Sequence, residues 1–262
     1  MERPLDRGKN TARAGLSPLV WVGFALDAVV LGLVWMFRFT SEAAYYYQDF
    51  FDIFLPVMNG ALLVQGLAIL LFLLRVPGAI ALGWIGGVFM MPVGLLFAEG
   101  CTVTYQRRKY ENLEQVEHPG RLEREFPISG MNRNPLVGGL VLAAGVAFFF
   151  LIANSNMQTS NAGWLLIILG ILLVLRALRL GKAPALALYG ESFAITPNWW
   201  AGTYMLPYSS VTDVAKGLMG RITLHIKDVD GQDIKMNFPR NLMPRDEREP
   251  ALAALQGRLK KV

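Results

Sequence analysis

The sequence contains little charge, one cysteine and two histidines, and each shortage excludes a class of protein. Only 17% of its 262 residues are charged, whereas 53% are hydrophobic, and a soluble protein usually carries about 25% charge. We therefore exclude a soluble enzyme, a fibre and a disordered chain, and we expect a polytopic membrane protein. The single cysteine, Cys101, excludes an internal disulfide, and His118 and His225 offer no metal-ligand spacing.

Five apolar runs are candidates for membrane-embedded segments, because a bilayer core about 30 Å thick needs about 20 apolar residues of helix. They comprise residues 18–37, 53–74, 79–98, 136–153 and 163–180. We expect the first run to remain in the mature protein, because it begins late and no small-residue cleavage site follows it.

The alternation of apolar and polar stretches predicts five segments along the chain. We divide it into a basic N-terminal segment, three N-terminal apolar runs, a charged cytoplasmic linker, a transmembrane hairpin and a cytoplasmic domain. Their bounds are 1–17, 18–101, 102–135, 136–182 and 183–262. The linker alternates in charge between residues 106 and 126, which predicts a solvated helix broken at Pro119 and Gly120.

Lysine and arginine collect on the cytoplasmic side of membrane proteins, so their positions predict the orientation. Four precede residue 18, six lie in 102–134 and thirteen lie from Arg176 onwards, whereas 155–162 has none. This pattern predicts a multi-pass protein of the cell inner membrane with a cytoplasmic C-terminus. The net charge of +5 follows from this bias and gives no reason to expect a nucleic acid partner.

The odd number of runs leaves two topologies open. Five full spans place one basic terminus outside, whereas four spans with one re-entrant or interfacial segment keep both termini inside. The third run fits the second alternative, since its glycines and Pro92 break a helix readily. Within it, Gly83 and Gly87 have the small-xxx-small spacing that favours close helix packing.

Asp27 is the only acidic residue deep within an apolar run. An intramembrane carboxylate usually faces a bundle interior or a water path. One interpretation is a proton or cation site, with Asn59 and Gln65 of the second run as its partners. The other is a protonated aspartate that hydrogen-bonds between helices.

The last 80 residues have a different pattern. Short strands are expected at 185–188, 193–196 and 205–214, followed by a hairpin of 221–227 with 233–238 closed by Asp230 and Gly231. Residues from 246 onwards place Leu252, Leu255 and Leu259 on one stripe, which predicts an amphipathic helix that covers an antiparallel sheet.

These motifs resemble those of small bacterial inner-membrane proteins in which a two-span hairpin precedes a cytoplasmic pleckstrin-homology-like (PH-like) domain. The similarity covers residues 136–262 and depends on three short segments. They are 182–186 (Lys-Ala-Pro-Ala-Leu), 193–195 (Phe-Ala-Ile) and 206–211 (Leu-Pro-Tyr-Ser-Ser-Val). The expected fold class is therefore a membrane protein with a helical bundle of four to five spans plus a small α+β PH-like domain at 183–262.

Known PH domains bind phosphoinositides through basic residues near their first strands, but the corresponding loop here, 197–202, has none. We therefore expect no specific phosphoinositide binding. Trp199 and Trp200 of this loop are expected either in the lipid headgroup layer or against the protein's own membrane helices. Together with Tyr208 they are our candidates for contact with a membrane or a partner.

No phosphate loop, nucleophile elbow or acid–base pair is present in the sequence, so we expect neither an enzyme nor a cofactor or metal site. We expect a scaffold or accessory protein that binds a partner protein through its cytoplasmic domain. Two alternatives stay open: a small ion-coupled transporter or channel component that uses Asp27, and a membrane immunity factor against a toxin.

Overall fold

A computed structural model describes residues 15–117, 120–130, 134–152, 157–181, 183–217 and 221–260. Residues 1–14 of the basic N-terminal segment, His118 and Lys182 lie outside the described residues. The described chain forms a four-helix bundle, a helical hairpin, and a domain of two antiparallel sheets with a C-terminal helix. The combination of helices with antiparallel sheets is therefore confirmed.

Helices α1 to α4 form the bundle. Their bounds are Pro18–Thr40 for α1, Gln48–Leu73 for α2, Ala79–Phe89 for α3 and Gly94–Lys109 for α4. Ser17 caps α1, because its hydroxyl accepts a hydrogen bond from the Leu19 N–H at 3.4 Å and Pro18 needs no such partner. Helix α3 packs on α2, and α4 packs on both α1 and α3.

The third apolar run is not one helix. Helix α3 has 11 residues and a length of about 16 Å, roughly half of a bilayer core. After the turn at Met90, Met91 and Pro92, helix α4 returns along α3. The helix break expected from the glycines and Pro92 of this run is therefore present.

The turn between α3 and α4 stays within the bundle. Met90 packs in a buried cluster with Leu31 of α1 and Leu55 and Met58 of α2. At the other end of the hairpin, the Ser17 N–H donates to Thr104 Oγ1 at 3.0 Å, and Arg108 donates to the Phe72 carbonyl. The start of α1, the end of α2 and the end of α4 therefore meet at one end of the bundle.

Two helices of the described chain are long and apolar enough to cross a membrane, Pro18–Thr40 and Tyr45–Leu73 with its preceding turn. Shorter apolar helices are Ala79–Phe89 and Pro135–Phe148. The expected number of four to five spans is not reached, because two helices meet this criterion among the residues that the structure describes.

Helices α5 (Pro135–Ile152) and α6 (Met157–Leu180) form an antiparallel hairpin. Their contact depends on glycine. A Cβ added to Gly170 would lie 2.5 Å from the Leu142 nitrogen, and one added to Gly145 would lie 2.7 Å from the Ile167 nitrogen. The two backbones thus approach as closely as small residues permit.

The sheet domain contains two antiparallel meanders followed by a helix. The first sheet has the order β1 (Leu122–Pro127), β2 (Pro184–Tyr189), β3 (Ser192–Ile195) and β4 (Tyr204–Pro207). The second has the order β5 (Val211–Lys216), β6 (Ile222–Lys227) and β7 (Asp233–Asn237). Helix α7 (Arg248–Leu259) follows and buries Ala251, Leu252 and Leu255. The expected β6–β7 hairpin and the amphipathic helix are confirmed.

Strand β1 corrects the expectation of a helix across residues 106–126. Helix α4 ends at Lys109, and Leu122–Pro127 pairs with β2, so that Phe126 lies opposite Leu186. Only Phe126 of this strand is buried, and its other side chains are exposed. The sheet therefore takes one strand from before the α5–α6 hairpin and the rest from after it.

One hydrophobic core joins the two sheets and α7. Phe126, Phe193, Leu206, Leu224 and Met236 are all fully buried in it. Tyr110 and Leu113, which follow α4, belong to the same core. The segment after α4 is therefore part of the sheet domain and connects it to the bundle.

Candidate functional site

Asp27 forms a buried polar contact among three helices. It lies on α1 with no exposed surface, and Gln65 of α2 is equally buried. Gln65 Nε2 donates to Asp27 Oδ2 at 2.7 Å and to the Gly86 carbonyl of α3 at 3.2 Å. The proposed partnership of Asp27 with Gln65 is present, and the third member is a backbone carbonyl that sequence reasoning missed.

Two oxygens of this contact have no hydrogen-bond partner among the described residues, Asp27 Oδ1 and Gln65 Oε1. An ionised carboxylate with a single hydrogen bond in an apolar interior is unfavourable by several kcal/mol. The arrangement therefore favours a neutral aspartate. Because Oδ2 accepts the Gln65 hydrogen bond, the proton lies on Asp27 Oδ1, and Gln65 Oε1 can accept a hydrogen bond from a further donor.

Asn59 does not join Asp27. Its Oδ1 accepts a hydrogen bond from Trp35 Nε1 at 3.5 Å, and it lines an open groove of about 590 Å³ on the surface of α1 and α2. The rest of the lining is apolar and includes Phe24, Leu63 and Leu67. The three polar residues predicted for one site are thus divided between a buried contact and a surface groove.

Gly83 and Gly87 lie where α3 contacts α4. A Cβ on Gly83 would lie 2.6 Å from the Cys101 sulfur, and one on Gly87 would lie 2.6 Å from the Gly94 carbonyl oxygen. Both glycines therefore permit the close return of α4, and Cys101 is a buried packing residue.

Trp199 and Trp200 lie in the loop between β3 and β4. In the sheet register, Ile195 at the end of β3 pairs with Leu186 near the start of β2 and with Tyr204 at the start of β4. The β3–β4 loop is therefore at the same end of the sheet as the α5–α6 hairpin, which enters β2 at Pro184. Trp199 contacts a side chain of α6 in the hairpin.

A guanidinium group covers Trp199. The Arg176 carbon Cζ of α6 lies 3.3 Å from the centre of the indole ring, a stacked cation–π contact. Trp199 remains 36% exposed. Nearby, Asn198 Nδ2 donates to Gln106 Oε1 of α4 at 3.2 Å. The loop thus contacts both the hairpin and the bundle.

Charged side chains cluster at this junction of α4, α6 and β4. Glu99 is close enough to Arg176 and Arg179 to interact electrostatically, and Arg179 interacts with Arg107 and Tyr204. We name these five residues the junction cluster. It contains three positive groups and one negative group. Sequence reasoning missed it because its members come from three segments, and only the spacing of Arg176 and Arg179 signals a shared helix face.

Tyr208 is a core residue, which corrects its assignment to a contact surface. Its ring stacks on Phe193, and its hydroxyl donates to the Tyr189 carbonyl at 3.1 Å. Burial raises the pKa of Tyr208 to about 12, partly offset by that hydrogen bond. Burial also raises the pKa of Tyr110 and of Tyr204 above their usual range. These phenols are therefore neutral at physiological pH.

Three hydrogen bonds fix the segment after α4 against the sheets. The Val116 N–H donates to the Met205 carbonyl of β4, and the Val229 N–H of the β6–β7 turn donates to the Asn112 carbonyl. Asn112 Nδ2 also donates to Asp230 at 3.4 Å. The segment after α4 therefore bonds to β4 at one position and to the β6–β7 turn at another.

Within the described part of the chain, no group of three His, Cys, Asp or Glu side chains could hold a metal ion. Comparison with family models, curated proteins and solved structures finds no match.

Proposed function

We propose that the chain is an integral membrane protein of scaffold or accessory type, which presents a PH-like domain at the cytoplasmic face of a bacterial inner membrane and there binds a partner protein. The observation that carries the proposal is the pairing of β1 with β2 on either side of the α5–α6 hairpin. Because both ends of the hairpin continue into neighbouring strands, the domain cannot rotate freely as a tethered tail would.

The surface of the helices supports a membrane location. In the most apolar 18-residue stretches of α1 and α2, only 22% and 33% of the residues, respectively, are buried within the protein. Ile53 is 72% exposed and Leu63 is 75% exposed. The core helix of a soluble protein covers such side chains, whereas a lipid-facing helix exposes them.

The broken third run supports four spans. If α1, α2, α5 and α6 cross the bilayer, α3 and α4 form a hairpin that enters and leaves on one side. The end of the bundle that holds Arg75, Arg107 and Arg108 then lies on the same side as the sheet domain. The opposite end holds Asp52, paired with Arg38 at 2.7 Å. This distribution agrees with a cytoplasmic C-terminus.

The element order supports a PH-like identity for the sheet domain. A four-stranded meander, a three-stranded meander and a closing helix occur in that sequence along the chain. The resemblance implies this order, with the difference that a helical hairpin interrupts the connection from β1 to β2.

The second sheet offers edges for a partner. Strands β5 and β7 each have one neighbour in their sheet, and among the described residues no further strand pairs with their outer edges. An open edge binds an extended segment of another protein by main-chain hydrogen bonds. We propose that the partner adds a strand to one of these edges.

Affinity purification in mild detergent with quantitative mass spectrometry tests the proposal. Thr212→Lys changes an exposed position of β5, Asn237→Lys one of β7, and Ala253→Lys, the matched control, one of α7. We expect one edge variant to reduce capture of a specific partner several-fold while Ala253→Lys leaves it unchanged. Equal capture by all three variants would contradict an edge-bound partner.

The unpaired oxygens of Asp27 and Gln65 favour one second candidate, an ion-coupled transporter or channel component. In that function, the neutral carboxyl group of Asp27 releases its proton and then takes up the next one. Flux measured in proteoliposomes separates the two functions. Transport should be lost in Asp27→Asn, whereas partner binding should persist in the same variant.

A further inference from the structure

We propose that the junction cluster binds the phosphate of an anionic phospholipid headgroup. The site depends on the membrane location proposed above, and it is independent of the binding of any partner protein. It adds a lipid ligand to a domain whose β3–β4 loop has no basic residue of its own.

The first support is the charge balance. The carboxylate of Glu99 interacts electrostatically with Arg176 and Arg179, and Arg179 also interacts with Arg107. Arg107 and Arg179 interact repulsively, and both are exposed. A phosphate between them would relieve this repulsion, and guanidinium groups bind phosphate oxygens in a bidentate geometry.

The second support is the depth of the cluster along the helices. Gly100, next to Glu99, lies against Val20 at the start of the apolar part of α1, since an added Cβ would lie 2.5 Å from the Val20 nitrogen. Arg107 lies eight residues further along α4, or about 12 Å. The cluster therefore begins beside the start of the apolar part of α1 and extends about 12 Å away from it, far enough to cross the headgroup layer.

The third support is Trp199. Its indole lies beneath the Arg176 guanidinium, in a loop at the end of the sheet that the hairpin enters, and it remains partly exposed. Tryptophan is enriched at this level of a bilayer because its ring is apolar and its N–H can donate. The stacking also holds the Arg176 guanidinium in a fixed orientation beside the proposed phosphate position.

The chemistry selects a lipid over a free anion. Arg176 belongs to the last turns of an apolar helix, and exposed Leu175 and Leu178 flank it. The phosphate of a phospholipid can bind the arginines while its acyl chains contact these leucines. Inorganic phosphate can bind only the arginines. We therefore assign a monoanionic diester such as phosphatidylglycerol as the class of ligand.

The experiment uses the full chain in nanodiscs. Binding of phosphatidylglycerol is measured against phosphatidylcholine by native mass spectrometry, for the wild type, for Arg107→Gln/Arg179→Gln, and for the control Lys216→Gln/Arg221→Gln. The control removes the same charge from two exposed positions, one in β5 and one directly before β6. All three proteins are first compared by thermal unfolding, and a single Arg107→Gln variant is used if the double variant does not fold.

We expect the affinity for phosphatidylglycerol to fall about fivefold for each arginine removed, hence roughly 25-fold in the double variant. The control should be unchanged. Equal loss in both double variants, or no preference for phosphatidylglycerol in the wild type, would overturn the site. Complete displacement of phosphatidylglycerol by millimolar inorganic phosphate would overturn the lipid assignment. Release of the wild type from native membranes by alkaline carbonate would instead contradict the membrane location itself.

Discussion

The helical bundle and the sheet domain bury opposite kinds of side chain. In the sheet domain the largest residues are inside, among them Phe126, Phe193 and Ile226, each without exposed surface. In the bundle the contacts between α1, α3 and α4 involve glycines, and large side chains such as Phe39, 76% exposed, point outwards. The sheet domain is stabilised by removing apolar surface from water, whereas the bundle is stabilised by close packing and a buried polar contact.

The largest expected effect is on the sheet core. Phe193→Ala should destabilise the sheet domain by about 3–5 kcal/mol, because the ring is fully buried and contacts Tyr208. Thermal unfolding followed by near-ultraviolet circular dichroism measures this change. Ile53→Ala on the exposed face of α2 is the matched control for the bundle and should change stability by less than about 0.5 kcal/mol. Similar effects of the two substitutions would remove the contrast between the regions.

The next largest loss of stability is expected when a glycine at a helix contact in the bundle is replaced. An added Cβ at Gly23 would lie 2.5 Å from the backbone nitrogen of Phe97, whereas nothing lies within 4 Å of one at Gly32 on the same helix. Gly23→Leu should therefore separate α1 from α4 at a cost of about 3 kcal/mol. Size-exclusion chromatography in detergent should show aggregation for Gly23→Leu and a single peak for Gly32→Leu. A single peak for both would show that α1 and α4 do not pack as described.

The third prediction concerns the loss of stability when the buried contact between Asp27 and Gln65 in the bundle is removed. Asp27→Leu leaves Gln65 with only the Gly86 carbonyl as its partner and should cost about 1–3 kcal/mol. Asp27→Asn retains an oxygen that accepts the Gln65 hydrogen bond, so it should cost less than about 1 kcal/mol. Melting temperatures in detergent measure both. If Asp27→Asn is the more destabilising of the two, an ionised carboxylate is required and the neutral aspartate is wrong.

The smallest loss of stability is expected when the hydroxyl group of Tyr208 is removed. Tyr208→Phe loses the hydrogen bond to the Tyr189 carbonyl and should cost about 1 kcal/mol at neutral pH. Because burial raises the pKa of Tyr208 to about 12 in the folded state, and an unfolded tyrosine titrates near 10, its contribution is complete below pH 10 and is lost as the pH rises to 12. The stability of Tyr208→Phe should therefore fall less steeply over this range than that of the wild type. Parallel pH profiles would contradict the buried phenol.

Local patterns in the sequence were sufficient to predict part of the fold. Alternation along Ile222, Leu224 and Ile226, closed by an Asp-Gly turn, predicted the β6–β7 hairpin because register and turn are determined within a few residues. The glycines and Pro92 predicted a break in the third run. The pairing of Asp27 with Gln65 followed from the scarcity of polar side chains in the apolar runs.

Features that depend on distant segments were not predicted. Strand β1 has the sequence Leu-Glu-Arg-Glu-Phe-Pro, whose charges are typical of a solvated segment, and its partner β2 begins 57 residues after it ends. The junction cluster combines α4, α6 and β4, none of which signals the others. Tyr208 follows a strand in a motif that suggested a surface, yet the corner between the two sheets turns its ring inwards.

The pairing of β1 with β2 is the central claim, and a disulfide tests it most directly. Cys101→Ala removes the single native thiol, after which Glu125→Cys and Ala187→Cys place cysteines at paired positions of the two strands. Glu125→Cys with Lys216→Cys, on the other sheet, is the control. We expect oxidation in native membranes to join residues 125 and 187 in most molecules, detected by mass spectrometry of the linked peptides, and to leave the control pair free. Equal cross-linking of both pairs, or none at 125 and 187, would contradict a sheet built around the hairpin.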